Sequence, residues 1–199
     1  MSAQQQVNDL LRGSVAHRIR FTFPFFAGTV TITSVSFAHV AMAVSHGRIQ
    51  IDSTTAFPAG VAGEYIAGPP KVLRVKPMLG REEQGLVLHE CTHALFDLTL
   101  THVSANDDEA AAYVVDALYF RMTGLPRPRW NAQLHAAAGA VADGLLRAYQ
   151  RGTTGIPAVN AAAWASLKLQ ISLHPVYLSG PAGIVPSLLG TGEYPHNGA

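Results

Sequence analysis

The sequence has almost no cysteine, because Cys91 is the only thiol among its 199 residues. A single thiol cannot form an intramolecular disulfide, and it cannot supply the several thiolates of a cysteine-rich metal site. Cys91 also lies about 200° around a predicted helix from His89, so the two side chains cannot share a ligand. We interpret Cys91 as a small residue of the hydrophobic core.

Charged side chains are also scarce, at 14% of the sequence, and the formal net charge is +1. Lysine and arginine are scattered rather than clustered, which excludes the basic surface of a typical nucleic-acid-binding protein. Hydrophobic residues make up 48% of the chain, which is enough for one sizeable core at this length. We therefore expect a single domain over residues 1–199 and no nucleic-acid partner.

The chain has no long uninterrupted hydrophobic run. Its most apolar stretch, residues 21–44, is interrupted by Pro24, Gly28 and many threonine and serine residues, which is not typical of a membrane-spanning helix. The first six residues also lack the basic and apolar regions of a secretory signal. We expect a cytoplasmic protein without a membrane partner, although export by a leaderless route would leave no such trace in the sequence.

Most strand patterns precede residue 81, and the long helix patterns begin there. Predicted strands, recognised by alternating polar and apolar side chains, lie at residues 18–23, 29–33, 48–52 and 71–75. Predicted helices lie at about 4–12, 37–45, 81–98, 104–122, 131–150 and 158–173. Asn131 is the predicted N-cap of the fifth of these helices. The predicted fold class is therefore α+β. A small, mainly antiparallel sheet occupies residues 1–80, a helix pair follows in 81–124, and a helical part with an irregular tail occupies 125–199.

The motif that organises the chain is His89-Glu90-Cys91-Thr92-His93, an H-E-x-x-H pattern inside a predicted helix. Residues four apart in an α-helix are rotated by only about 40° and raised by about 6 Å, so both imidazoles can bind one metal ion. Glu90 lies about 100° around the helix from His89, where it can act on a water molecule at that ion. The motif predicts Zn2+ held by His89 and His93, with Glu90 as general base.

The residues around the motif indicate an amphipathic helix. An apolar stripe opposite the histidine face is formed by Leu88, Cys91, Leu95 and Leu98. We therefore expect the histidines to face away from the buried side. Gly85 lies one turn before His89, where its lack of a side chain would leave room above the ion. The competing interpretation is a pair of surface histidines that bind no metal.

A catalytic zinc site usually has three protein ligands and an open position, so a third ligand is needed. The predicted second helix opens with the acidic run Asp107-Asp108-Glu109. A short turn between two antiparallel helices would bring this run beside the motif. Glu109 is our candidate for the third ligand. Two alternatives stay open: Asp108 as the ligand, or no carboxylate ligand, with Glu109 closing a capping box that starts at Asn106.

This combination resembles the gluzincin metallopeptidases, in which H-E-x-x-H is followed by a glutamate on the next helix. The segment Glu109-Ala110-x-x-Tyr113-Val114 is similar to that of small bacterial gluzincins, such as the ImmA/IrrE-like and minigluzincin-like domains. The resemblance covers about residues 48–122. H-E-x-x-H is its one specific motif.

The chain also departs from related families. Metzincins are excluded because Phe96 and Thr99 stand where they have glycine and histidine. Several gluzincins have an aspartate at position 113, where this chain has Tyr113. The residue that orients a ligand imidazole must therefore lie elsewhere, and Asp97 and Asp116 are the candidates for that role.

The resemblance implies a zinc-dependent peptidase with a zincin-like fold. His89, His93 and Glu109 would bind Zn2+ as a cofactor. Glu90 would serve first as base and then as acid during hydrolysis of a peptide bond.

The resemblance also implies where a peptide or protein substrate would bind. It would lie along an edge strand above the metal, here at 48–52 or 71–75, by strand addition. His174 and Tyr177 follow the last long helix and are candidates for the group that stabilises the oxyanion. In the alternative interpretation they only close a helix end.

The alternative function is a zinc-binding protein built on the same fold without general peptidase activity. It would be a regulator or effector directed at one protein partner. A purely structural zinc site is disfavoured, because such sites usually have four Cys or His ligands. The sequence leaves the oligomeric state open.

Overall fold

A computed structural model describes residues 1–57, 63–128, 131–152 and 154–178. The elements in chain order are α1 (Ala3–Leu11), α2 (Ser14–Arg18), β1 (Phe21–Phe25), β2 (Gly28–Ile32), α3 (Ser34–Ser45), β3 (Ile49–Asp52), β4 (Glu64–Ile66), β5 (Lys71–Arg74), α4 (Arg81–Leu98), α5 (Ala105–Thr123), α6 (Ala132–Gln150), α7 (Ala161–Leu173) and α8 (Pro175–Leu178). The structure is mixed α+β, as predicted. The irregular tail was predicted from Pro175 onward, but Pro175–Leu178 forms the short helix α8; the rest of that tail, residues 179–199, lies outside the described residues.

The first two predicted strands, at 18–23 and 29–33, are present as β1 and β2 and form a hairpin. The strands pair antiparallel, from Phe21 opposite Ile32 to Phe25 opposite Gly28. The alternation in the sequence arises because one face of each strand is buried while the other is more exposed. Gly28 has a φ of 144°, which side-chain-bearing residues rarely adopt, so the turn requires glycine there.

The hairpin is attached to the helical part of the molecule. The backbone N–H of Thr22 donates to the carbonyl of Pro157, and the N–H of Val159 donates to the carbonyl of Thr22, both over 2.9 Å. The ring of Phe23 stacks on that of Trp164 in α7, with centroids 4.7 Å apart. These contacts connect the first part of the chain to its C-terminal helices.

A second sheet contains three strands in the order β3-β5-β4. β4 pairs antiparallel with β5, whereas β3 pairs parallel with β5. Together with the β1–β2 pair, two of the three pairings among the described strands are antiparallel, as predicted, but the strands form two sheets instead of one. After β3 the chain first forms β4 at the far edge and then turns back to form β5 between the two. β5 therefore runs opposite to β4 and in the same direction as β3. Residues 71–75 therefore supply the central strand and cannot be an edge. β4 was missed, because three residues are too few to show an alternating pattern.

The helix that carries the H-E-x-x-H motif has the bounds that we predicted. Leu88 and Cys91 are buried, as expected, but so are His89 and Glu90, which are 2% and 0% exposed. The expectation that the histidines face away from the buried side is therefore wrong. α4 packs against α3, α5 and β4, and α5 covers the histidine face.

Gly85 explains how closely α4 and α5 approach. A Cβ atom at this position would lie 2.5 Å from Oδ1 of Asp116 and 2.5 Å from Cε2 of Phe120. The missing side chain therefore makes room for α5. From the sequence we inferred that Gly85 leaves space above the histidines, and this inference is wrong.

Replacing Gly85 by alanine is expected to destabilise the protein by about 1–3 kcal/mol, because the added methyl group must displace Asp116 or Phe120. The matched control is Gly144→Ala on α6, where a Cβ atom would lie 3.9 Å from Nη2 of Arg147. Alanine there should be neutral or stabilise by up to about 1 kcal/mol. Urea unfolding measures both effects. Equal free energies of unfolding for the two variants would contradict the close packing.

The C-terminal helices α6 and α7 pack on each other and on α5. The N-cap of α7 is Asn160, whose side chain accepts a hydrogen bond of 3.0 Å from the N–H of Ala163. Asn131, predicted to cap α6, has a φ of 46° and makes no side-chain cap. Its amide instead donates to the hydroxyl of Tyr113 over 3.0 Å. Within the described ranges, no helix combines the length and the apolar character needed to cross a bilayer.

Candidate metal centre

Two histidine rings lie side by side on α4. The ring centroids of His89 and His93 are 5.0 Å apart, as expected for residues one helical turn apart. Their side chains are 3% and 12% exposed. The uninterrupted helix therefore delivers both imidazoles to one buried location.

Glu109 reaches this location from the beginning of α5. Its carboxylate oxygens lie 3.6 Å from Nε2 of His89 and 3.9 Å from Nε2 of His93. One ligand atom from each of the three residues lies within 4.8 Å of the others. Two imidazole nitrogens and a carboxylate oxygen form a donor set that zinc binds in catalytic sites. The three residues, called the HHE group from here on, could hold a metal ion, and their chemistry fits the predicted zinc.

No family model, curated protein or solved structure matches the chain. The resemblance to gluzincins therefore rests on the H-E-x-x-H motif and on the position of Glu109.

Glu90 is completely buried beside the HHE group. Its Oε2 accepts a hydrogen bond of 3.0 Å from the backbone N–H of Tyr65 in β4. Burial raises the pKa of Glu90 to about 8, against the opposing charge of His93. The carboxyl group is therefore held in a fixed position beside the two imidazoles.

Asp108 holds the ring of His93 from the other side. Its Oδ1 lies 2.7 Å from Nδ1 of His93, while Nε2 of the same ring faces Glu109. Burial alone would lower the pKa of His93, but the charges of Asp108 and Glu109 outweigh it and raise that pKa to about 10. A carboxylate at the second nitrogen of a metal-binding imidazole fixes its tautomer and orientation. The geometry of Asp108 fits this orienting role better than the role of a ligand.

The two acids that we predicted for the orienting role contact other groups. Asp97 accepts a hydrogen bond from the hydroxyl of Tyr65, which joins α4 to β4. Asp116 is buried 3.5 Å from Nδ1 of His135 on α6, and burial raises its pKa well above the usual value. The structure thus gives the orienting contact on His93 to Asp108.

Tyr177 on α8 contacts the HHE group directly. Its hydroxyl lies 2.9 Å from Oε2 of Glu109 and 3.2 Å from the hydroxyl of Tyr113. Burial and the charge of Glu109 raise the pKa of Tyr177 well above its usual value, so the phenol stays protonated and donates to the carboxylate. His174 lies at the end of α7, with its ring centroid 6.2 Å from that of Tyr177. Tyr177 is therefore placed against Glu109, the candidate third ligand, whereas His174 is placed beside Tyr177, and the roles of both stay predictions.

The first turn of α5 explains why its acids diverge. The N-cap is Ser104, whose Oγ accepts a hydrogen bond of 3.1 Å from the N–H of Asp107. The alternative interpretation, in which Asn106 is the N-cap and Glu109 closes a capping box with it, is therefore wrong. Asp107, Asp108 and Glu109 follow one another at steps of about 100° around the helix axis. Three neighbouring acids consequently face three different directions.

Three contacts of the site were missed from the sequence. They are the orienting contact of Asp108, the N–H of Tyr65 on Glu90, and the hydroxyl of Tyr113 beside Tyr177. The contact of Asp108 could have been predicted from the sequence, because an acid next to a candidate ligand on the same helical turn can reach the same imidazole. The contact of Tyr65 could not have been predicted, since it is made by the backbone of a strand too short to recognise in the sequence.

Proposed function

We propose that the protein is a zinc-dependent peptidase with a gluzincin-type zincin fold. In this proposal His89, His93 and Glu109 bind Zn2+, and Glu90 serves as base and then as acid. The observation that carries it is the convergence of two Nε2 atoms on the carboxylate of Glu109, at 3.6 and 3.9 Å, next to the buried Glu90. Two imidazoles and one carboxylate are typical of catalytic rather than structural zinc sites.

The chemistry of hydrolysis divides between the ion and the protein. Zinc, when bound, lowers the pKa of a coordinated water to about 7 and polarises a carbonyl oxygen. A cation held by the HHE group would favour the ionised form of Glu90 and so oppose the burial that raises its pKa. The carboxylate of Glu90 then accepts a proton from the attacking water and delivers it to the leaving nitrogen of the peptide. The hydrogen bond from the N–H of Tyr65 to Oε2 holds the carboxyl group of Glu90 in position for this transfer.

The hydroxyl of Tyr177 is our candidate for stabilising the oxyanion. It is a protonated donor 2.9 Å from a carboxylate oxygen of Glu109, which places it within reach of an oxygen bound beside that ligand. A preorganised donor of this kind favours the charge that develops during attack on a carbonyl. His174 is the second candidate for this role.

An extended substrate would bind along β4. Of the described strands in its sheet, β5 is central and β4 lies at an edge. β4 also packs on the motif helix, and its Tyr65 donates to Glu90. A peptide added to this edge by strand pairing would pass close to the proposed base. Of the two substrate positions predicted from the sequence, 71–75 is ruled out because it is the central strand. The other, 48–52, contains β3, which lies at the edge of the sheet opposite β4. We therefore place the substrate at β4.

The direct test is to purify the protein, measure its zinc by elemental analysis and incubate it with a peptide library. We expect bound zinc and cleaved peptides, with cleavage lost after treatment with a chelator and recovered when zinc is added back. Bound zinc without cleavage of any peptide would favour the alternative, a zinc-binding regulator or effector directed at one protein partner. A protein that binds no zinc would contradict the proposal.

A further inference from the structure

Asp107 is a buried acid that the proposed chemistry does not use. Its Oδ1 lies 2.5 Å from Nζ of Lys168 and 3.2 Å from Nε1 of Trp164, both on α7. Its Oδ2 accepts a hydrogen bond of 2.6 Å from the hydroxyl of Ser104. The side chain of Asp107 is 4% exposed, whereas that of Lys168 is 31% exposed. Removing a partner from a buried charge is costly, so these contacts firmly connect the start of α5 to α7.

The three acids at the start of α5 contact three different groups. Asp107 binds α7, Asp108 binds Nδ1 of His93 on α4, and Glu109 faces Nε2 of both histidines. Because consecutive residues are separated by about 100° around a helix, the direction of one side chain determines the directions of the next two. Asp108 therefore anchors this turn to α4 on one side, and Asp107 anchors it to α7 on another.

A small rotation of α5 would be enough to spoil the HHE group. A carboxylate about 6 Å from the helix axis moves by about 1 Å when the helix turns by about 10°. Metal–ligand distances, by contrast, tolerate only about 0.2 Å. The contacts of Glu109 with the histidines, at 3.6 and 3.9 Å, are longer than hydrogen bonds. They cannot by themselves hold the helix at the required angle.

We propose that Asp107, with Lys168 and Trp164, is a positioning group that fixes the rotation of the first turn of α5 and so directs Glu109 to the metal. The inference rests on the metal site of the proposed function. It gives α7 a specific role in zinc affinity. α7 belongs to the C-terminal part of the chain, whose role the sequence left open.

The zinc affinity of Lys168→Met tests this role. Methionine keeps much of the aliphatic stem of this partly exposed lysine and removes its charge, so the fold should be retained. We expect zinc binding to weaken about tenfold, at the lower end of the effect of residues that orient ligands. The visible absorption spectrum of the Co2+-substituted protein should also change, because it reports the geometry of the ligands. Lys168→Arg keeps the charge and the donor and should restore both readouts.

Two further variants separate positioning from general stability. Arg121→Met breaks the ion pair with Asp143, 2.8 Å between Nε and Oδ1, near the other end of α5. It should leave the zinc affinity and the Co2+ spectrum unchanged even where the free energy of unfolding falls. Trp164→Phe removes the indole donor but keeps an aromatic ring to pack on Phe23, so it should weaken zinc binding as Lys168→Met does.

The outcomes distinguish this inference from the proposed function. If Lys168→Met keeps the zinc affinity and the Co2+ spectrum of the unaltered protein, the inference is overturned and the peptidase proposal stands. An equal loss of affinity in Arg121→Met would also overturn it, since general destabilisation would explain both losses. If the variants change zinc affinity as expected but the unaltered protein cleaves no peptide, the inference is supported and the peptidase proposal fails. No zinc binding by the unaltered protein overturns both.

Discussion

Replacing Glu90 by glutamine is expected to lower kcat/KM for peptide hydrolysis about a thousandfold, within the range that general acid–base catalysis contributes. Zinc should stay bound, because Glu90 is not one of the proposed ligands. Glutamine keeps the shape of the side chain and an oxygen that can accept the hydrogen bond from the N–H of Tyr65. It cannot take up a proton from water. Steady-state kinetics and elemental analysis of the same preparation measure both effects.

The control for this variant is Glu82→Gln, which makes the same chemical change on an exposed position of α4. Its activity and zinc content should equal those of the unaltered protein. If Glu90→Gln hydrolysed peptides at the unaltered rate, Glu90 could not be the base. Loss of zinc together with activity would indicate that Glu90 contributes to metal binding, contrary to its proposed role.

Glu109→Gln is expected to weaken zinc affinity more than about 100-fold, which is the upper end of the effect of residues that only orient ligands. The amide keeps the size of the side chain and can still accept the hydrogen bond from Tyr177. It loses the negative charge of a carboxylate ligand. Competition with a chromophoric chelator measures the affinity, and unfolding curves without metal show whether the fold is retained.

Asp108→Asn is the comparison that decides between the two acids left open by the sequence. If Asp108 only orients His93, its replacement should weaken zinc affinity by about 10–100-fold, less than Glu109→Gln does. A larger loss of zinc affinity in Asp108→Asn than in Glu109→Gln would indicate that Asp108 is the ligand and that Glu109 has the orienting role. An unchanged affinity in Glu109→Gln would reject Glu109 as a ligand.

Features within one helix could be predicted closely. The bounds of α4 agree with the prediction, because its apolar and acidic residues follow the helical period without a break. The common face of His89 and His93 follows from the same period. Glu109 was a reasonable third ligand, since an acidic run soon after a helix must return near that helix when the connection is short.

Features that depend on packing between elements were missed or misplaced. Gly85 was interpreted as space above a metal, but its neighbours are Asp116 and Phe120 of α5. The histidine face was expected to be exposed, but α5 covers it. Asn131 looked like a helix cap, but its amide donates to Tyr113. In each case the local pattern was real, and a partner distant in the sequence changed its consequence.

By itself, the sequence determined the α+β class, the helix that carries the H-E-x-x-H motif and the candidate ligands, because these depend on periodicity and on residue type. The tertiary structure alone decided which groups complete the site: Asp108 on His93, Tyr65 on Glu90 and Tyr177 on Glu109. It also decided the strand order, which puts β4 at an edge beside the motif. The physical reason is that the helical repeat relates only residues close in sequence, whereas contacts between separate elements depend on how the whole core packs.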